Sequence, residues 1–143
     1  MKRVSLAEQL RNHFVAILSL AVALAGLGYN TWRNERTEAN RNIRVAAFEM
    51  LKTLGELQLV VDYAHFRKDR RIGDPQMGWG KVLFLRDLAQ VVPAPVPEQT
   101  EQLLTSWRDN WEKIETDNQA VNKISEDIFS LRQQLLEVLR KLV

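Results

Sequence analysis

Cysteine is absent from the 143 residues, and histidine occurs only at positions 13 and 65. The first absence excludes disulfides, thiol catalysis and cysteine-ligated zinc or iron-sulfur sites. The second leaves no H-E-x-x-H pair and no histidine placed to activate a nucleophile, so neither a cofactor nor an enzymatic role is expected. Neither sign of charge prevails: from Arg33 onward 17 basic residues meet 17 acidic ones, which gives no basic footprint for nucleic acid. Glycine and proline are scarce, with 6 and 4 residues, and most of them fall in two short stretches. The rest of the chain is open to helix.

What the sequence does have is one long uncharged run, Phe14 to Trp32, FVAILSLAVALAGLGYNTW. A helix of about 20 apolar residues crosses a hydrocarbon core of about 30 Å with every backbone group paired internally. Tyr29 and Trp32 suit the membrane interface, and Arg33 follows at once. Phe14, Leu18, Leu24, Tyr29 and Trp32 are therefore the expected anchor residues, in contact with lipid. Ser5 to Glu8 forms an S-x-x-E capping box just ahead of the run. The competing reading is a cleavable signal peptide, with Lys2, Arg3 and Arg11 as its charged region and Ala23-Leu24-Ala25 as its cleavage site. The apolar run continues past that site to Trp32, which favours an uncleaved signal anchor.

Basic residues flank the run almost evenly, Lys2, Arg3 and Arg11 before it and Arg33, Arg36, Arg41 and Arg44 after it. A short leading tail ordinarily stays in the cytoplasm. The expectation is a single-pass protein of a bacterial inner membrane, with a cytoplasmic tail (1–13), a span (14–32) and a periplasmic helical domain (33–143). The arginines after the span lie closest to lipid headgroups.

Within that domain Ile43, Ala47, Met50, Leu54, Leu57, Val61 and Ala64 recur at spacings of four and three, a heptad seam. Phe48, Leu51 and Leu59 widen it and imply packing against more than one helix. Gly55 in its midst costs about 1 kcal/mol relative to alanine and suggests close approach of a neighbour. Helices are expected at about 33–69, 81–92 and 98–143. IGDPQMGWG and its flank predict a loop over 70–80, and the alternating prolines 93, 95 and 97 a stiff connector over 93–97. The last helix carries Leu104, Trp107, Trp111 and Ile114, and then Val121, Ile124, Ile128, Leu131, Leu135, Val138 and Leu142 in heptad order. Between these runs Glu115 to Ala120 is polar and the register shifts, which predicts a bend, a break or a change of partner. The fold class is all-α: a transmembrane helix followed by an antiparallel helical hairpin or bundle with coiled-coil-like seams.

Candidate functional residues are few. Asp62, His65 and Asp69 share a helical face with the spacing of metal ligands, but the surrounding Arg67, Lys68, Arg70 and Arg71 point to ion pairs, and no metal site is expected. Arg67, Arg70 and Arg71 could meet an anion. Trp107 and Trp111, an i, i+4 pair, read first as core and second as a contact hot spot. Gly78-Trp79-Gly80 lacks the further glycine of a nucleotide loop. The reading that uses most of the sequence is an accessory subunit or scaffold that binds another protein chain, or a second copy, through its heptad surfaces. Its expected contacts are Met50, Leu54, Leu57, Val61, Trp107, Trp111, Ile128 and Leu135. The second reading is an extracytoplasmic ligand-binding or sensor module relaying through a partner. In outline the arrangement resembles the extracytoplasmic part of bacterial sensor and chemoreceptor proteins.

Overall fold

A computed structural model of the chain describes residues 6–142, with side chains from residue 13. Ser5 of the expected capping box, and Lys2 and Arg3, lie outside the described residues. All regular structure among them is helical: α1 (Leu6–Asp62), a π-helical turn (Tyr63–Arg67), α2 (Pro75–Ala89), α3 (Val96–Asn110), a 3-10 turn (Trp111–Lys113) and α4 (Asn118–Lys141). Two compact units divide the chain, Met1–Ala39 and Asn40–Val143.

In the first unit helix α1 has no covering layer, and side chains from His13 to Ala39 are exposed. The polar stretch after Trp32 stays helical. Thr37 Oγ1 donates to the Arg33 carbonyl at 2.9 Å, the back-bonding that lets a threonine sit in a helix interior.

The second unit is an antiparallel bundle of four helices. Lys81 Nζ donates to Glu56 Oε2 at 2.6 Å, joining α2 to the C-terminal part of α1. Arg44 Nη2 reaches the Leu142 carbonyl at 3.1 Å and Gln58 Nε2 reaches Ser125 Oγ at 3.1 Å, so α4 runs back along α1. Helix α3 closes the square, packed on α2 and α4. The heptad residues fill the interior: Ala47, Met50, Leu54, Leu57, Val61 and Ala64 are buried, as are Leu104, Trp107, Ile114, Val121, Ile124, Ile128, Leu131, Leu135 and Val138. Val82, Leu85, Ala89, Val96 and Leu103 complete one continuous core.

Several boundaries differ from those read in the sequence. Helix α1 stops at Asp62 and loosens into the π-helical turn, which Lys68 ends with a left-handed φ of 54°. The chain then folds back so closely that a β-carbon on Gly73 would stand 2.2 Å from the Ala64 nitrogen.

Helix α2 begins inside the expected loop. Asp74 caps it, accepting from the Gln76 amide at 2.9 Å, and Pro75 fills the first turn where no amide donor is needed. Gly78 and Gly80 are helical here. The first is demanded by Trp107, whose Cζ2 would lie 2.0 Å from an added β-carbon.

The single helix expected over 98–143 is two. Helix α3 ends at Asn110, and Asp117 caps α4 by accepting from the Gln119 amide at 2.8 Å. The proline connector is shorter than expected, because Val96 and Pro97 belong to the first turn of α3.

Candidate functional site

In the first unit the apolar run is a helix with nothing over it. Phe14, Leu18, Leu24, Tyr29 and Trp32 are each more than half exposed. Exposing so many large apolar side chains to water costs about 25 cal/mol per Å². One helix in the described chain is long and apolar enough to cross a membrane, and this run lies within it. At the end of the run the Tyr29 and Trp32 rings lie 6.0 Å apart, and the Arg36 guanidinium sits 5.2 Å over the Trp32 ring. Aromatic bodies with a cationic tip are the chemistry of an apolar-polar boundary.

In the second unit the residues expected to meet a partner meet the chain itself. Met50, Leu54, Leu57, Val61, Trp107, Ile128 and Leu135 are buried in its core, and Trp111 is half-buried against Trp79, with ring centroids 6.2 Å apart. The heptad surfaces are consumed within the chain, because four helices of one chain supply each other's apolar partners. Phe48 and Leu59 depart from expectation in the opposite sense: both are exposed on the outer face of α1, and Leu51 is half-buried.

The charged end of the bundle is a clamp. His65 Nδ1 lies 2.7 Å from the Ile114 carbonyl, and its Nε2 lies 2.8 Å from Asn118 Oδ1. Both ring nitrogens thus tie the π-helical turn to the connection between α3 and α4. Lys68 Nζ donates to the Glu115 carbonyl, and Arg70 Nε donates to Glu115 Oε1 at 2.7 Å. Arg71 grips Asp69 through two bonds of 3.1 and 2.9 Å. Asp62 accepts from Gln58 at 2.9 Å.

Arg71 therefore spends its guanidinium fork on Asp69 and Arg70 its Nε on Glu115, both within the chain, while Arg67 is exposed. The hydrogen bond from Arg70 holds the Glu115 carboxyl below its ordinary value, and that from Arg71 does the same for Asp69. Asp62, His65 and Asp69 do not converge, and no group of three metal-ligating side chains occurs among the described residues.

Two polar features lie elsewhere. A depression of about 360 Å³ runs between α1 and α2, lined by Glu49, Lys52, Glu56, Met77, Lys81 and Phe84 among others. Between α3 and α4 the buried Asp127 accepts from Ser106 Oγ, from Gln102 Nε2 at 3.1 Å and from Lys123 Nζ at 3.0 Å. The Asp127 carboxylate is satisfied from within the chain, by donors of which Gln102 and Lys123 are exposed.

No protein-family model matches the chain, and neither does any curated protein or solved structure.

Proposed function

We propose that the chain is a single-pass membrane protein whose helical bundle acts as an interaction module, an accessory subunit or scaffold for another protein chain. The observation that carries this reading is the uncovered run from Phe14 to Trp32, uncharged in sequence and exposed along its whole length. A bilayer is the environment in which such a surface costs nothing to expose. The aromatic and arginine residues at its end support a membrane boundary there, and the shortness of the leading tail is what favours a cytoplasmic tail and a periplasmic bundle at a bacterial inner membrane.

An interaction role is supported by what the bundle leaves outside. Val45, Phe48, Leu59 and Phe129 are more than half exposed in a unit whose core is otherwise complete. Contact with a partner through these residues replaces the heptad contacts first expected from the sequence. The interior between the helices is filled by side chains from Met50 to Trp107 and Leu135, so a ligand-sensing role has only surface depressions to draw on.

Alkaline extraction of membranes containing the full chain tests the reading. The chain should remain in the membrane pellet, and Leu20→Arg with Leu24→Arg should release it into the supernatant. Release of the unaltered chain by alkali would overturn the anchor.

A further inference from the structure

Within the bundle, helix α1 carries a glycine, Gly55, that nothing inside the chain requires. A β-carbon on Gly55 would meet only Arg132 Nη2, at an ordinary 3.7 Å. Gly73 and Gly78 are different, since a β-carbon on either would stand under 3 Å from neighbouring atoms. A glycine in a helix interior destabilises it relative to alanine, so the residue at position 55 is unfavourable without an internal return.

Beyond the Arg132 guanidinium on its α4 side, exposed apolar side chains surround it. Phe48, Leu59 and Phe129 are 56, 51 and 63 % exposed. Phe48, Gly55 and Leu59 follow at i, i+7 and i+11 and so share one face of the helix. The alignment of α4 with α1, set by Arg132 beside Gly55 and by Ser125 bonded to Gln58, brings Phe129 to the same level. The result is a notch rimmed by exposed apolar side chains, on the side of α1 away from Met50, Leu54 and Leu57.

Charge selects what covers it. A heptad with Val45, Lys52 and Leu59 at a and Phe48, Gly55 and Asp62 at d puts Arg44 at g and Glu49 at the next e. In a parallel pair of helices g of one faces e of the other, so the exposed Arg44 of each copy, whose Nη2 also donates to the Leu142 carbonyl of its own chain, meets Glu49 of the other copy. Within the chain Glu49 has only a loose, exposed contact with Lys52 at 3.7 Å. An antiparallel pair loses this match. Lys52 at an a position weakens such a seam but fixes its register.

We propose that this face is the docking surface for a second copy of the chain, α1 against α1 in parallel, with Gly55 of each copy at the point of closest approach. The proposal rests on the anchoring reading in one respect. Two chains tethered in one bilayer present α1 in the same direction and at a raised effective concentration. Both conditions favour a parallel, self-matched interface over an encounter of free molecules.

Because the chain has no cysteine, single introduced cysteines report proximity directly. In membranes containing the full chain, Phe48→Cys and Leu59→Cys should each form a disulfide-linked homodimer on mild oxidation. Phe84→Cys, exposed on α2, should not. Adding Gly55→Leu should cut the Leu59→Cys product roughly tenfold, the effect of about 1.4 kcal/mol in association. Gly55→Ala, which gains helix propensity and so does not fail by unfolding, should reduce it in the same direction.

Cross-linking of Phe84→Cys to the same extent, a product with a different protein, or a yield unmoved by either change at position 55 overturns the proposal. Alkaline extraction of the same membranes reports the anchor separately. If the chain is released, the anchoring reading fails, and the cross-links repeated on the released chain uphold or overturn the dimer by themselves.

Discussion

Gly78 and Trp107 fill one space between α2 and α3: the indole edge lies where a β-carbon of residue 78 would be, 2.0 Å from Cζ2. Trp107 is fully buried, so its ring has no room to retreat. Gly78→Ala should therefore lower unfolding stability by about 1–3 kcal/mol, the usual cost of overfilling a core. Gly80, two residues on in the same helix, has nothing within 4 Å of its β-position. Gly80→Ala should raise stability by up to about 1 kcal/mol through helix propensity. Denaturant midpoints of the two variants should move in opposite directions.

The buried Asp127 joins α3 to α4 by accepting from Ser106, Gln102 and Lys123. Asp127→Ala leaves three donors without their acceptor and should cost about 1.5–3 kcal/mol, the range for hydrogen bonds to a charged group. Glu126→Ala, one residue earlier and less buried, should change stability by less than about 0.5 kcal/mol. Equal losses at the two positions would show that the network does not hold these helices together.

Acid should loosen the bundle in a definite window. Glu56, Asp69 and Glu115 each accept a hydrogen bond from Lys81, Arg71 and Arg70 respectively, and each carboxyl is held below its ordinary value by that bond. A carboxyl whose pKa folding lowers contributes stability above its unfolded value and loses it as pH falls through the folded one. Melting temperature should thus begin to fall below the ordinary glutamate value of 4.5. Lys81→Met should shrink that fall by removing the share of Glu56, while an unchanged acid profile would show that this pair adds nothing.

His65 should act on one end of the bundle. Its ring bridges the Ile114 carbonyl and Asn118 across the turn before α4. His65→Ala should speed amide exchange over residues 111–118 while leaving the middle of α4 protected, since local opening follows local contacts. Faster exchange throughout α4 would mean that the histidine supports the whole bundle instead.

How much of this is legible in the sequence follows from which interactions are local. The seam from Ala47 to Ala64 and the run from Val121 to Val138 announce themselves by spacing, and both are core. The polar stretch before Ala120 marks the break between α3 and α4, and Asp117 is its cap. Asp74-Pro75 carried the start signal of α2, but Gly78 and Gly80 read as helix breakers there. The reason for a glycine at position 78 is Trp107, a partner that no local pattern reveals. Spacing likewise identifies Phe48 and Leu59 as apolar without telling which side of α1 the other helices leave open. The ion pairs of Arg70 and Arg71 depend on turn geometry at Lys68 and Gly73 that composition does not encode.

Everything proposed for function turns on the run from Phe14 to Trp32 being retained and held in lipid. The decisive measurement is the intact mass of the chain recovered from the membrane fraction of its own cells after alkaline washing. The chain in the washed pellet should still contain the run from Phe14 to Trp32 and the residues before it. A shorter chain that begins after Ala25 and appears in the soluble fraction would contradict the anchor and identify the run as a signal sequence removed on export.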